Sequence, residues 1–177
     1  MDKFQRKYPS VFYLREKAKK RIPKFAFEYL DGGCNNEESL YKNTDDIRNI
    51  QLKPKYIVEK KETSIKTKIF GIEYDAPFGV APIGLQGLIW PKSPEILAKA
   101  AFDNNIPFIL STVSTSNIEK ISKITEGKAW FQLYHPAEDS ITRNILQRAE
   151  DSGIKNLVIL ADVPTFGYRN REIINGL

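Results

Sequence analysis

The hydrophobic pattern divides the chain into two unlike halves. From residue 78 onward, four continuously apolar runs, FGVAPI, PFILST, AWFQLY and NLVILAD, begin at or near Phe78, Pro107, Ala129 and Asn156. They recur at intervals of 22 to 29 residues, the length of one strand, one crossover helix and two short loops. A short run that is apolar throughout predicts a strand covered on both faces, as in a parallel sheet with helices outside it. The intervening stretches carry helical signals. Ser93 and Pro94 read as an N-cap and first-turn proline ahead of Ile96, Leu97, Ala100 and Ala101. Ser116 and Glu119 have capping-box spacing, with Ile118, Ile121 and Ile124 behind them. Residues 138–152 place Ile141, Ile145, Leu146 and Ala149 on one stripe and stop at Gly153. Four consecutive β/α units imply a parallel sheet with right-handed crossovers.

The first half follows another rhythm. Residues 11–50 read as three helices: one to Arg21, one from Pro23 to Leu30 stopped by Gly32 and Gly33, and one capped by Asn35 and Asn36. Residues 63–74 then alternate apolar and polar around Gly71, which predicts a small hairpin. A helical lead-in and a hairpin can plug the bottom of a barrel without forming a separate domain.

Two architectures use serial β/α units, the closed eight-stranded barrel and the open doubly wound sheet. A doubly wound nucleotide binder would usually show a Gly-rich turn after its first strand, and here that turn reads APIGLQG. The strand ends instead offer Pro82, Ile83 and Gly84, then Ser111, then Gln132 and Tyr134, then Asp162. Polar groups contributed by several strands to one face suit a barrel active site, so the expected fold class is α/β: the first four β/α units of a TIM (β/α)8 barrel, preceded by helices and a small hairpin. A complete barrel takes about 250 residues and this sequence has 177. The expectation is one partial domain over 1–177, with 1–75 as lead-in and hairpin and 76–177 as the first half of the barrel, truncated at its C-terminus.

Composition narrows the setting. At 41% hydrophobic and 28% charged residues, the chain has the make-up of a soluble globular domain. No apolar stretch is long enough to span a bilayer, and MDKFQRKYPS has no signal-peptide core, so the expected location is cytoplasmic. Cys34 is the single cysteine, which excludes an internal disulfide and fits a reducing compartment. The net charge is +5, with lysines along the whole length and no aromatic-interleaved basic stripe; this reads as solvated faces, with no nucleic-acid partner.

The segments PKFAFEYLDGGCNNEESLYKN, VAPIGLQGLIWP, PFILSTVST, WFQLY and ADVPTFGYRNREIINGL resemble, in order and over nearly the whole chain, the FMN-dependent 2-hydroxy-acid dehydrogenases and oxidases. That family includes glycolate oxidase, flavocytochrome b2 and mandelate dehydrogenase, and the turn GLQGLIWPK and the ending GYR look most like the mandelate dehydrogenase branch. The resemblance implies FMN as cofactor and oxidation of an L-2-hydroxy acid of the lactate, glycolate or mandelate type to its 2-oxo acid. It leaves the electron acceptor open among oxygen, a quinone and a cytochrome, and Gly84 and Trp90 lean toward a bulky acid and a dehydrogenase. For the complete protein it also allows peripheral association with the inner membrane.

Roles carry over residue by residue. The resemblance implies that Pro82, Ile83 and Gly84 lay backbone against the flavin ring, where a small residue lets the ring approach. Ser111 would place a hydroxyl close to the ring, and Gln132 would pair its amide with the pyrimidine edge. Tyr29 and Tyr134 would hold the substrate's carboxylate and its hydroxyl or keto oxygen, and Arg169 would bind the carboxylate with its planar guanidinium. Asp162 would pair with the catalytic histidine, which makes Asp162 and Tyr134 the catalytic candidates. Leu160 departs from the family, whose members commonly carry a flavin-touching threonine there. The only histidine, His135, does not match the base, which in the family lies beyond the position of Leu177 together with the flavin lysine and the phosphate loops.

Three readings follow. The sequence is the N-terminal part of such an enzyme, inactive alone; or a non-catalytic half that pairs with a separate C-terminal half or with itself; or another FMN barrel such as a type 2 isopentenyl diphosphate isomerase, against which WFQLY and ADVPTFGYR stand.

Overall fold

The computed structural model describes residues 2–59, 62–161 and 167–176. In chain order these form α1 (Lys3–Lys7), α2 (Val11–Lys19), α3 (Lys24–Asp31), α4 (Glu38–Arg48), β1 (Thr67–Ile69), β2 (Ile72–Tyr74), α5 (Gln86–Ile89), α6 (Ser93–Asp103), β3 (Ile109–Ser111), α7 (Ile118–Thr125), β4 (Trp130–Leu133), α8 (Asp139–Asp151), β5 (Asn156–Ile159) and α9 (Asn170–Ile174). The chain divides into two compact units, residues 1–58 with 165–177, and residues 59–164.

The helical unit holds α1 to α4 and α9. Helix α1 is opened by a reciprocal capping box: the Gln5 backbone N–H donates to the Asp2 carboxylate at 2.7 Å, and the Asp2 N–H donates to the Gln5 side chain at 3.2 Å. Helix α3 follows Pro23, buries Ala26 and Phe27, and stops at Gly32, where a Cβ would lie 2.7 Å from the Glu28 carbonyl oxygen. Helix α4 begins at Glu38, so Asn35 and Asn36 are not its caps; Glu37 stands at the cap in the left-handed region (φ 62°). The Glu37 carboxylate turns back to accept from the Gly33 N–H at 3.1 Å. Arg171 of α9 donates to Glu37 at 2.5 Å and to Asp31 at 3.3 Å, and Arg15 of α2 grips the same Asp31 through two nitrogens at 2.6 and 2.8 Å. Hydrogen bonding from Arg15 first, and from Arg171, holds the Asp31 carboxyl below its ordinary value, although it sits at the unfavourable C-terminal end of a helix.

The second unit is a β/α assembly. Strands β1 and β2 pair antiparallel, Ile69 against Ile72, around Phe70 and Gly71, whose φ angles of 48° and 83° match the primed turn that two-residue hairpins favour. Strands β3, β4 and β5 form a parallel sheet in chain order, with Ser111 beside Gln132 and Gln132 beside Val158. The first apolar run is not a strand, which corrects the sequence expectation. It contributes one parallel bridge, in which the Val80 N–H donates to Pro107 at 2.8 Å and the Ile109 N–H donates to Val80 at 3.1 Å. The next ladder bond would need an N–H at position 82, and Pro82 has none.

Side chains alternate along the strands, and the two faces differ. Leu110, Phe131 and Leu133 point to the helices and form the core with Ala98, Ala101, Ile118, Ile121, Ala149 and Ile154. The opposite face carries Trp130 and then Gln132. Trp130 donates its indole N–H to the Tyr74 hydroxyl at 3.1 Å and lies 5.5 Å from the Phe70 ring, so the hairpin covers the start of β4 on that face. Outside, Glu95 binds Lys120 at 2.6 Å and Glu119 binds Arg148 bidentately at 2.8 and 3.0 Å, tying α6 to α7 and α7 to α8.

Helix ends depart from the expected caps. Ser93 is the first residue of α6 rather than its cap, and Pro94, Ala98 and Ala101 are the buried positions, with Ile96 and Ala100 exposed. Asn117, not Ser116, caps α7 by accepting from the Lys120 N–H at 2.9 Å; Ser116 donates to Glu95 instead. On α8 the stripe is Ile145, Leu146 and Ala149, and Ile141 is exposed.

Candidate functional site

The carboxyl ends of the parallel strands are knotted together by hydroxyls. The Gln132 carbonyl accepts from both the N–H and the hydroxyl of Thr112, at 3.0 and 2.5 Å, and the same hydroxyl accepts from the Tyr134 N–H at 3.0 Å. One turn earlier, the Leu85 N–H donates to Val113 at 3.0 Å and the Gly87 N–H to the Thr115 hydroxyl at 3.1 Å. A Cβ on Gly87 would stand 2.1 Å from that hydroxyl oxygen, so only glycine lets the loop after the first run lie against the loop after β3. These bonds hold residues 82–84, 111 and 132–134 at one end of the sheet.

Within that end, Ser111 and Gln132 are in register on adjacent strands and are 3% and 2% exposed. The Ser111 oxygen accepts from the Val113 N–H at 3.3 Å. The Gln132 side-chain nitrogen is buried and has no hydrogen-bond partner. A buried amide without a partner is expensive, and it points to an acceptor that arrives from outside the chain. Pro82, Ile83 and Gly84 are half-buried on the loop leading into α5, and Tyr134 is 38% exposed.

Tyr29 and Arg169 belong to the helical unit and meet there. The guanidinium lies 5.3 Å from the centre of the Tyr29 ring, donates to the Tyr29 carbonyl at 2.6 Å and to Gly32 at 3.3 Å, and pairs with Glu172. Arg169 thus satisfies the last carbonyls of α3. Asp162 lies outside the described residues. The structure therefore gathers Ser111, Gln132, Tyr134 and the 82–84 loop in one unit, and Tyr29 with Arg169 in the other. Sequence reasoning missed Thr112 and Thr115, which organise the strand ends. Their signal was present in the STVST run that follows β3, where hydroxyl residues succeed an apolar strand.

Uncommitted polar groups at the carboxyl ends of parallel strands, with helices packed on the opposite face, define a β/α enzyme unit. Comparison with known proteins gives the family. A profile described as FMN-dependent dehydrogenase matches residues 18–177. The L-lactate dehydrogenase of Vibrio cholerae is 37% identical over 163 residues, 92% of this chain and 43% of the relative. Among solved structures, a soluble mutant of the membrane-associated (S)-mandelate dehydrogenase from Pseudomonas putida matches with a TM-score of 0.89 at 35% identity, over 94% of this chain and 48% of that one. A mandelate oxidase matches with a TM-score of 0.91 at 31% identity, over 96% and 49%. The chain belongs to the FMN-dependent dehydrogenase family, oxidoreductases that use FMN. It spans less than half the length of the curated relatives it matches.

The donor set fits a flavin. Gln132 presents an unpartnered amide nitrogen next to a hydroxyl, a pattern suited to the carbonyl-bearing edge of a planar heterocycle.

Proposed function

We propose that these residues are the N-terminal portion of an FMN-dependent enzyme that oxidises an L-2-hydroxy acid of the lactate, glycolate or mandelate type to its 2-oxo acid. In this reading the four apolar runs are the first half of an eight-fold barrel, and residues 1–177 belong to a single catalytic domain. The observation that carries it is the buried, unpartnered nitrogen of Gln132 beside Ser111 at the strand ends. FMN, when bound, supplies the two-electron acceptor.

The chain's own residues divide the remaining work. Gln132 and Ser111 hold the flavin edge, and the backbone of Pro82, Ile83 and Gly84 lies along the ring. Tyr134 and Tyr29 orient the substrate's oxygens. Arg169 takes the carboxylate, which requires it to exchange its carbonyl contacts on α3 for the substrate. Asp162 steadies the protonated form of a histidine base. His135 follows Tyr134 directly and is the sole histidine of the 177 residues, so these residues alone are expected to bind FMN without oxidising a hydroxy acid.

Titrating the full 177-residue chain with FMN tests the reading. Quenching of flavin fluorescence, lost in Gln132→Leu, is the expected result; no binding, or binding unchanged in that variant, overturns it. Reduction of the flavin by lactate, glycolate or mandelate in this chain alone would remove the claim that the base lies elsewhere.

A second reading rests on β5. Leu157 and Ile159 on this strand are 44% and 67% exposed, a surface that favours a partner covering the strand. A separate C-terminal half or a second copy would serve, and a discrete oligomer in sedimentation would support it.

A further inference from the structure

Arg169 is held by more than the end of α3. Its Nε–H donates to the carboxylate of Glu172, three residues on in α9, while Nη2 carries both carbonyl contacts, to Tyr29 and to Gly32. A guanidinium has five N–H groups, and among the described residues the two on Nη1 meet no acceptor. Exposed ion pairs contribute little. This one is largely covered: the side chains of Arg169 and Glu172 are 30% and 17% exposed, and the guanidinium lies over the Tyr29 ring.

Glu172 is in turn fixed by its helix. Just before α9, the Asn35 N–H donates to the Tyr168 carbonyl at 2.8 Å, and the Asn170 side chain donates to the Asn35 carbonyl at 2.8 Å. On either side of Glu172, Arg171 binds Asp31 and Glu37, and Asn175 donates to Glu28 at 2.5 Å. Each neighbouring carboxylate therefore has its own partner, and Glu172 is the one given to Arg169.

A planar fork receives a carboxylate best through two parallel N–H groups. With Nε occupied, the edge that remains is Nη1 with Nη2, and Nη2 completes it by releasing a carbonyl of α3. The bond to Glu172 need not break. We propose that Glu172 is a positioning residue for Arg169, retaining Nε while the Nη1 and Nη2 edge turns from α3 to the carboxylate of the hydroxy acid. This rests on the carboxylate role proposed for Arg169. A long side chain loses rotamer freedom when it binds, and a fork already held at Nε has less to lose.

Two plainer roles for Glu172 make other demands. A carboxylate in the first turn of α9 suits the positive end of a helix, and a carboxylate beside a guanidinium weakens its pull on a second anion. Both depend on charge. Positioning depends on an acceptor at the tip of the side chain, which Gln supplies and Met, of similar length, does not.

Titration of the full 177-residue chain with pyruvate, followed by NMR at the Arg169 backbone and Nε–H, separates these roles. The Nε–H signal is identified by its absence from Arg169→Lys. In the unmodified chain this proton exchanges with water at least about tenfold more slowly than that of the exposed Arg143, and it stays slow with pyruvate bound. Glu172→Gln binds pyruvate within about threefold of the unmodified chain, and Glu172→Met binds about tenfold more weakly. The exchange measurement stands whether or not the Met variant folds. If pyruvate produces no shift at Arg169 in the unmodified chain, the carboxylate role of Arg169 falls and this proposal with it. If pyruvate binds there, three results overturn the proposal alone: Gln as weak as Met, Met as tight as the unmodified chain or tighter, or Nε–H exchange that quickens on binding.

Discussion

Thr112 and Tyr134 are joined across the ends of two parallel strands: the Tyr134 N–H donates to the Thr112 hydroxyl at 3.0 Å, and that hydroxyl donates onward to the Gln132 carbonyl at 2.5 Å. A single side chain thereby fixes the backbone on both sides of Leu133. Thr112→Val keeps the shape but strands the Tyr134 N–H, at an expected loss of about 1–3 kcal/mol in urea unfolding. Thr112→Ser restores most of the stability. In the FMN titration the Val variant binds more weakly than the Ser variant, because Gln132 is no longer held in place.

Gln132 itself yields a prediction with two signs. Its amide nitrogen is buried without a partner, so Gln132→Leu removes an unsatisfied donor and leaves the stability of the flavin-free chain unchanged or raised by about 1 kcal/mol. The same change abolishes FMN binding. Thermal melts with and without FMN read both effects, and a large loss of stability without FMN would show that the amide has a structural task instead.

Gly87 and Thr115 are expected to be coupled. Gly87→Ala drives a methyl onto the Thr115 hydroxyl and is expected to destabilise by about 1–3 kcal/mol. Thr115→Ala clears that oxygen and loses only its one hydrogen bond to the Gly87 N–H. The double variant is therefore more stable than the sum of the two single losses, as a denaturation cycle measures.

The Arg171 cluster sets a pH dependence. Asp31, through Arg15 first, and Glu37, through Arg171 first, are both held below their ordinary values when folded. A depressed carboxyl contributes stability above its unfolded pKa and loses it as pH falls through the folded one, so the contribution is complete at neutral pH and drains away below the ordinary carboxylate range, about pH 4. Arg171→Met lowers the melting temperature at pH 7 and makes its decline toward pH 3 shallower than in the unmodified chain. Parallel curves for the two proteins would refute the assignment.

The sequence made some of this legible and hid the rest for identifiable reasons. The hairpin was readable because Gly71 punctuates an alternating stretch, and β3, β4 and β5 because each falls in a short apolar run, although Leu157 and Ile159 of β5 are left exposed. The run containing Val80 looked like its siblings, yet Pro82 cannot donate, and apolarity alone does not register a missing N–H. Caps were misassigned where two competent residues stand together: Ser116 and Asn117 can each cap α7, and the choice fell to Asn117 because Ser116 is drawn to Glu95. At the strand ends, Ser111 and Gln132 are expected from the resemblance of the surrounding segments, whereas the part played by Thr112 depends on the register between β3 and β4, which a linear pattern does not contain.

Each strand of the parallel sheet neighbours the one made just before it, Ile109 opposite Trp130 and Trp130 opposite Asn156. No strand has to wait for a distant segment, so the sheet can grow in the order in which a ribosome releases it. Every arriving helix closes over apolar residues already in place, so the helix-facing side of the sheet is buried step by step as the chain is made.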